Sequence, residues 1–286
     1  MEDAPLLTVD DLHVSFDTPK GIVKAVRGVS FALGREKLGI VGESGSGKSQ
    51  TGRAILGLLA ARGHARARRV EFDGVDLLRA DERTLRAIRG DRISMIMQDP
   101  KYSLNPVITV GKQIEEAYLV HTKASRKEAR ERTLEMLEAV RIRDPRHVYH
   151  AYPHEVSGGM GQRIMIAMMM IPQPDIIIAD EPTSALDVTV QLQVLAILDD
   201  MVTQHGMGLI FISHDLSLVA SFCDRILIMY AGQVMEVCDA GDLEHAKHPY
   251  TRGLLSCLPE VGDSVRILPV LERDPAWAEY QEDSGD

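Results

Sequence analysis

A glycine-rich segment contains the residue types and the spacing that bind phosphate groups. It fits the pattern G-x-x-x-x-G-K-[ST] and reads Gly42-Glu43-Ser44-Gly45-Ser46-Gly47-Lys48-Ser49. Glycines here let backbone N–H groups point towards phosphate oxygens, to which the start of a helix adds positive potential. Lys48 is expected to reach the β and γ phosphates, and Ser49 is expected to ligate Mg²⁺. We call this segment the phosphate loop, and it predicts a site for a nucleoside triphosphate.

Two carboxylates follow the apolar run 176–179, at the point where a buried strand would end. Asp180 is expected to hold Mg²⁺, and Glu181 is expected to orient and deprotonate the water that attacks the terminal phosphate. Two acids at the end of a strand also occur in proteins that have no such chemistry. In a chain that carries a phosphate loop as well, they favour hydrolysis of the nucleotide.

Short apolar runs predict the strands that position these residues. Each has the continuous apolar character of a central strand in a parallel sheet. The runs are residues 38–41, 93–97, 176–179 and 209–212. The first leads into the phosphate loop, and residues 48–60 predict an apolar-rich helix directly after that loop.

Helical patterns separate the second and third of these strands. Helices are predicted at residues 109–121, at 125–140, and from Ser157 to a point before Pro172, because proline cannot continue the hydrogen-bond ladder. Residues 225–230 and 233–237 predict a β-hairpin. The sequence therefore predicts an α/β fold with a helical insertion.

Composition restricts the class of protein further. The chain has 286 residues, 45% of them hydrophobic, and a formal net charge of −10, which makes nucleic acid an unexpected partner. No apolar run approaches the roughly 20 residues that cross a bilayer, and the first residues have no signal-peptide pattern. The three cysteines lack the Cys-x-x-Cys spacing, so we expect a reduced, cytoplasmic environment.

A second serine and glycine motif, Ser157-Gly158-Gly159-Met160-Gly161-Gln162, resembles the signature sequence of the ABC ATPase family. The resemblance extends to about Leu258 and implies a P-loop ABC-type nucleotide-binding domain, with a mostly parallel core sheet, an N-terminal antiparallel β part and a helical subdomain at about 100–170. The expected domain spans residues 1–258, and residues 259–286 form an acidic tail that we expect to be mobile. ATP and Mg²⁺ are the implied cofactors.

The resemblance also implies roles for single residues. Ser157, Gly158 and Gly159 would cap the γ-phosphate of an ATP held by a second ATPase subunit. Gln98 would contact Mg²⁺ and the attacking water, and would transmit motion to the membrane subunits. His214 would hydrogen-bond the γ-phosphate and hold Glu181 and the water in place.

Two further residues complete the expected site. Asp187, in Ser184-Ala185-Leu186-Asp187, would belong to the loop that crosses the dimer interface. Phe16 is a candidate for stacking on adenine, although an aromatic in the core is an equally good interpretation.

Three segments resemble the subfamily that takes up peptides and nickel. They are Met160 in the signature, Ser103-Leu104-Asn105-Pro106, and His248-Pro249-Tyr250-Thr251-Arg252. The resemblance implies an importer subunit at the cytoplasmic face of the plasma membrane, with a paralogous ATPase subunit as heterodimer partner, two transmembrane permeases and a substrate-binding protein. Peptide is the preferred cargo, and nickel or another small solute is the alternative.

Other functions remain as alternatives. A P-loop kinase or GTPase would leave the signature, Asp187 and His214 unexplained, and a soluble ABC ATPase is expected to have two ATPase units or a long coiled coil. His147, His150 and His154 have a spacing that could bind a metal on one face of a helix. Pro153 would interrupt that helix, so an ordinary role without a metal is favoured. Many members of the subfamily hold an iron–sulfur cluster through four thiolates. Since only Cys257 lies beyond Tyr250, we expect no such cluster.

Overall fold

The computed structural model describes residues 4–184, 186–257 and 274–278, apart from the side chains of Lys101 and Tyr102. The chain divides into two units. Unit 1 contains residues 1–80 and 210–286, and unit 2 contains residues 81–209.

The strands are numbered in chain order. They are β1 (Leu7–Thr18), β2 (Gly21–Leu33), β3 (Lys37–Gly42), β4 (Gly63–Arg66), β5 (Arg69–Phe72), β6 (Val75–Asp76), β7 (Ile93–Ile96), β8 (Ile176–Asp180), β9 (Gly208–Ser213), β10 (Arg225–Tyr230) and β11 (Gln233–Asp239). The predicted strands at 38–41, 93–97, 176–179 and 209–212 are confirmed as β3, β7, β8 and β9.

The α-helices follow the same scheme. They are α1 (Lys48–Ile55), α2 (Glu82–Ile88), α3 (Pro100–Ser103), α4 (Val110–Leu119), α5 (Arg126–Ala139), α6 (Pro145–His150), α7 (Gly158–Met170), α8 (Val188–His205), α9 (Leu216–Phe222) and α10 (Pro249–Ser256). Short 3₁₀ turns occupy Pro153–Glu155, Ala240–His245 and Pro275–Ala278.

Unit 1 contains an antiparallel sheet in the order β2-β1-β5-β6, with β4 also paired to β1. Side chains on one face of β1, including Leu7, Leu12 and Val14, are at most 1% exposed. Such alternation is expected when one face of a sheet packs on a core and the other meets solvent. The N-terminal antiparallel β part implied by the resemblance is present.

The other strands of unit 1 follow the order β11-β10-β3-β9. The first two residues of β9 belong to unit 2. β3 and β10 pair in parallel, and β10 and β11 form the predicted antiparallel hairpin. Leu38, Ile40 and Phe211 on these strands are fully buried. Burial of each such side chain stabilises the fold by about 1.5–3 kcal/mol.

The helix after the phosphate loop is shorter than the sequence prediction of 48–60, which was wrong at its C-terminal end. α1 ends at Ile55, and Gly57 has a φ angle of +62°. A left-handed residue stops the helix because it turns the chain away from the helical path, and glycine adopts this conformation without steric cost.

Unit 2 combines the parallel pair β7 and β8 with helices α2 to α8. α4, α5 and α7 confirm the helices predicted at 109–121, at 125–140 and after Ser157. The core of this unit includes Ile96, Ile114 and Ile164, all fully buried.

The predicted α/β fold class is confirmed. The predicted domain limits at 258 and at about 100–170 stay predictions, although α3 to α7 fall within the latter range. Most of the tail at 259–286 lies outside the described residues, and only residues 274–278 are placed. Within the described part of the chain, no helix is long and apolar enough to cross a membrane.

Candidate functional site

The phosphate loop lies in unit 1, between the end of β3 and the start of α1. Gly47 precedes the helix with a φ angle of +100°, and a Cβ atom there would lie 2.4 Å from the carbonyl oxygen of Ala25. Gly45 also has a positive φ, +82°. Any other residue at position 47 would clash and strain the backbone, so the glycine is needed for the shape of the loop.

Lys48 points into the curl of its own loop and is only 5% exposed. Its Nζ donates hydrogen bonds to the carbonyl oxygens of Gly42, at 2.7 Å, and Glu43, at 2.9 Å. Ser49 follows at the first turn of α1, where backbone N–H groups have no helical partner. The ammonium is therefore held beside the first turn of α1, whose N–H groups and dipole favour a bound anion.

Two other expected site residues belong to unit 1. His214 is exposed directly after β9, and Asp215 caps α9 through a 3.0 Å bond from the Leu218 N–H to its carboxylate. Phe16 is half-buried on β1 opposite Gly63, where a Cβ atom would lie 2.7 Å from the phenyl ring. The ring therefore has packing contacts of its own, and its part in binding adenine stays a prediction.

The carboxylate pair lies in unit 2 at the end of β8. Asp180 is 2% exposed, whereas Glu181 is partly exposed and has a φ angle of +47°. A left-handed conformation costs a non-glycine residue about 1–3 kcal/mol and persists only where its surroundings enforce it. The surroundings of Glu181 therefore hold its backbone in a conformation that the residue type alone would not favour.

Gln98, two residues after β7, meets this carboxylate. Its Nε2 donates to Glu181 Oε2 at 3.1 Å and to Ser184 Oγ at 3.3 Å. The Ser184 hydroxyl in turn donates to the Glu181 carbonyl oxygen at 3.2 Å. The structure thus brings together two residues that the sequence places 83 positions apart, and it adds Ser184 as a support for them.

The signature forms the start of α7. Ser157 is the N-cap residue and its Oγ accepts a 3.4 Å hydrogen bond from the Met160 N–H. A Cβ atom on Gly159 would lie 2.7 Å from Cγ1 of Val190 on α8, so close packing requires glycine there. A Cβ atom on Gly158 would have nothing within 4 Å, and its φ is not positive. Nothing in the described part of the chain therefore requires a glycine at position 158.

Arg163 on α7 links the signature to the chain at Arg141. Its Nε donates to the Gly159 carbonyl oxygen at 3.2 Å and its Nη1 to the Arg141 carbonyl oxygen at 2.7 Å. Burial, and then repulsion from Arg143, lower the pKa of Arg163 from its ordinary value. The guanidinium stays charged at neutral pH because its ordinary pKa is so high.

Asp187 begins α8 as its N-cap residue and accepts a 3.0 Å bond from the Val190 N–H. Its neighbours Val188 and Leu192 are 73% and 61% exposed. Asp187 therefore has a structural role of its own, beside an exposed apolar pair. Ala185 in the same loop lies outside the described residues.

A groove of about 500 Å³ joins the Gln98 segment to the signature within unit 2. Leu104, Pro106 and Leu186 contribute apolar surface to it, and Gln162 contributes an amide. Gln162 is 1% exposed, and its Nε2 has no hydrogen-bond partner among the residues that the structure describes. A change in the position of α7 would consequently alter the groove beside Gln98.

The oxygen donors fit Mg²⁺. The Ser49 hydroxyl, the Asp180 carboxylate and the amide oxygen of Gln98 are hard ligands of the type that this ion prefers. Asp180 is buried, and a buried carboxylate gains most from a positive partner. Among the described residues, no group of three or more His, Cys, Asp or Glu side chains could hold a metal. Each of these three side chains, taken by itself, therefore fits Mg²⁺, and its role as a ligand stays a prediction.

Residues 26–184 match the family model described as ABC transporter, more than half of the chain. The chain belongs to the ABC transporter family. This ABC ATPase therefore binds ATP and ADP and hydrolyses ATP. It is 46% identical to the oligopeptide transport ATP-binding protein OppD of Escherichia coli, an alignment that covers 92% of this chain and 80% of OppD. It is 49% identical to the dipeptide transport ATP-binding protein DppD of Bacillus subtilis, with 93% and 80% covered.

Solved structures give the same family. The ABC ATPase superposes with a TM-score of 0.72 on the dimeric, post-hydrolysis ATP-binding cassette MJ0796 bound to ADP and Pi, at 26% identity, covering 82% of this chain and 98% of that one. The structure of cbiO1 from Clostridium perfringens, part of the ABC transporter complex cbiONQ, gives a TM-score of 0.69 at 25% identity, with 88% of this chain and 96% of that one covered. The family and the ATPase activity expected from the sequence are confirmed, whereas the roles of single residues stay predictions.

Proposed function

We propose that this ABC ATPase powers the import of di- and oligopeptides, and that its signature completes the ATP site of a second ATPase subunit. The names of OppD and DppD support the cargo. The observation that carries the second part is the exposed start of α7, where open space surrounds Gly158. A glycine that no contact with the described residues requires suits a surface to which another molecule approaches closely.

Lys48 and Ser49 are the two side chains of the phosphate loop that would contact the nucleotide and its metal ion. Lys48 would move its hydrogen bonds from the carbonyl oxygens of Gly42 and Glu43 to the β and γ phosphates of ATP. Ser49, Asp180 and Gln98 would hold Mg²⁺, which neutralises charge on the phosphate oxygens when bound. Because Lys48 Nζ already lies inside the loop, it would exchange these bonds for bonds to phosphate oxygens without a large movement.

Glu181 would act as the general base. Its carboxylate accepts a hydrogen bond from the Gln98 amide. This bond, together with the enforced left-handed backbone of Glu181, would hold the carboxylate in one orientation. Glu181 would take a proton from water as the water attacks the γ-phosphate, and His214 would donate a hydrogen bond to that phosphate. Asp187 would contact the second subunit from the start of α8.

The partner site would be completed at Ser157. The N–H groups at the start of α7 and the positive end of its dipole would face the γ-phosphate held by the second subunit. Such stabilisation grows as charge develops in the transition state, so hydrolysis would depend on closure of the two subunits. The second subunit would be a paralogue of this chain.

The complete importer would include two permeases and a substrate-binding protein, with this subunit at the cytoplasmic face of the membrane. Names of the relatives as peptide import ATP-binding proteins support this assembly. In this assembly the permeases and the substrate-binding protein would select the cargo, and this subunit would not contact it. The peptide assignment therefore depends on the similarity of the whole chain to peptide transporters.

The test is transport by the complete complex. The transporter is purified with its binding protein, placed in proteoliposomes and supplied with ATP inside and labelled di- or tripeptides outside. ATP-dependent accumulation of peptide that is lost in the Glu181→Gln complex is expected. Uptake of Ni²⁺ but not of peptide would contradict the cargo, and full uptake by the Glu181→Gln complex would contradict the role of Glu181.

A further inference from the structure

The C-terminal segment 274–278 packs against an aromatic cluster in unit 1. Trp277 lies 5.8 Å from Tyr250, 6.0 Å from His248 and 6.3 Å from Tyr230, measured between ring centroids. Its ring meets both tyrosines edge to face, at 67° and 87°. Edge-to-face contacts at these distances are favourable aromatic geometry. We call Tyr230, His248 and Tyr250 the aromatic cluster.

The cluster is rigidly held. Tyr250 is fully buried and lies 4.7 Å from Tyr230. His248 caps α10 by accepting a 3.1 Å bond from the Tyr250 N–H. Glu236 on β11 accepts the Lys247 and His248 N–H groups, at 2.6 and 3.2 Å. The position of Trp277 is therefore defined by side chains that have little freedom to move.

Arg27 links this segment to the turn between β10 and β11. Its Nη1 donates to the Ala278 carbonyl oxygen at 2.9 Å. Its Nε donates to the Ala231 carbonyl oxygen at 2.8 Å, and its Nη2 donates to the same oxygen. A planar guanidinium can bridge two carbonyl groups in this way, whereas a lysine ammonium at the end of a flexible stem cannot reproduce the fork.

The same turn supports the phosphate loop. The Gly232 N–H donates to the Ser46 carbonyl oxygen at 3.1 Å, and the Gly232 carbonyl oxygen accepts the Arg27 N–H at 2.7 Å. A Cβ atom on Gly42 would lie 2.1 Å from the Met229 carbonyl oxygen, so the end of β10 touches the start of the loop. Trp277 is covalently joined to Ala278, whose carbonyl oxygen accepts the Arg27 bond, so a path runs from the 274–278 segment through Arg27 and the turn to the phosphate loop.

We propose that Trp277 is a positioning residue for the nucleotide site, which holds the phosphate loop in its binding conformation through Arg27 and the 231–232 turn. The inference rests on the proposed role of the phosphate loop. The ligand it serves is the polyphosphate of ATP or ADP. A loop that is already ordered loses less conformational entropy when the nucleotide binds, so the docked segment raises affinity.

The intact chain supplies its own probe, because Trp277 is the one tryptophan in the sequence. For the wild type, the indole should be shielded from acrylamide relative to N-acetyltryptophanamide, and ADP should change its emission. Lys48→Ala protein should show the shielding without the response to ADP. Indole as accessible as the free model compound, or emission that ignores saturating ADP, would overturn the inference.

The affinity for ADP, measured by titration calorimetry on the full chain, is the second test. Trp277→Ala should weaken it roughly three- to tenfold, the size of effect expected from one aromatic contact, and Trp277→Phe should restore most of it. Arg27→Lys should weaken it similarly, and the double variant with Trp277→Ala should show less than the product of the two effects. Arg69→Gln, an exposed arginine on β5, is the matched control.

The outcomes separate this inference from the proposed function. If Lys48→Ala abolishes ADP binding and Trp277→Ala leaves it unchanged, the positioning role is wrong and the phosphate loop stands. If Lys48→Ala also binds ADP as the wild type does, the assignment of the phosphate loop is wrong. A general loss of stability would lower the melting temperature without the rescue by phenylalanine, and that result too counts against the inference.

Discussion

Replacement of Glu181 by glutamine tests the proposed chemistry most directly. The variant keeps the shape of the side chain and removes the negative charge. Gln98 Nε2 lies 3.1 Å from Glu181 Oε2, and a glutamine oxygen at the same place can still accept this bond. The φ angle of +47° costs both residues the same, so backbone strain cancels in the comparison.

Two magnitudes follow from this geometry. A neutral acceptor replaces a charged one in a bond at the protein surface, which should change the free energy of unfolding by about 1 kcal/mol or less. Loss of a general base slows a reaction by about 10²–10⁴-fold, equivalent to roughly 2.7–5.5 kcal/mol of activation free energy. The effect on hydrolysis should therefore exceed the effect on stability several times over.

The assay is single-turnover hydrolysis of ATP by the assembled transporter, alongside ATP affinity and thermal unfolding. Glu181→Gln should hydrolyse at least a hundredfold more slowly, bind ATP normally and accumulate a closed, ATP-bound dimer. Glu138→Gln, an exposed glutamate on α5, is the control and should behave as the wild type. Wild-type hydrolysis by Glu181→Gln, with binding and stability intact, would show that the base lies elsewhere.

Three further predictions concern binding, acid stability and partners. Lys48→Ala should abolish binding of ATP to this chain. Ser157→Arg should leave that binding intact and block closure over the ATP of the second subunit. Equal loss of ATP binding in both variants would contradict the proposal that Ser157 completes the site of the second subunit. Burial raises the pKa of Glu236, but the nearby Thr251 side chain and the hydrogen bonds from the Lys247 and His248 N–H groups outweigh it and lower the pKa below 4.5 overall. The stabilisation is therefore present above that value and lost as the pH falls through the folded-state pKa, so Glu236→Gln should melt below the wild type at pH 7, with a gap that closes in acid. A difference in melting temperature that does not depend on pH would refute this prediction for Glu236. DNA or RNA at about 0.1 M salt should leave the ATPase rate unchanged, and a salt-sensitive stimulation would argue for a nucleic-acid partner.

Local patterns in the sequence were sufficient for four of the core strands and for the chemistry of the phosphate loop. β3, β7, β8 and β9 are short apolar runs, and each can be read from residues adjacent in the chain. The loop motif is equally local, because the glycines, Lys48 and Ser49 act through their own backbone and the first turn of α1. The end of α1 was missed, since the apolar pattern continued past Gly57 while the backbone did not.

Contacts between distant residues were decided only by the tertiary structure. Ser184 gives no sign in the sequence that it supports Gln98 and Glu181, and the strained φ of Glu181 follows from its surroundings rather than from its residue type. Trp277 lies in an acidic tail, and no local pattern connects it with Arg27, which lies 250 positions earlier and donates a hydrogen bond to the adjacent carbonyl oxygen. The sequence alone determined which groups could do the chemistry, because that depends on residue type and short spacing. The fold decided which groups support them, because long-range packing brings together residues that no local pattern connects.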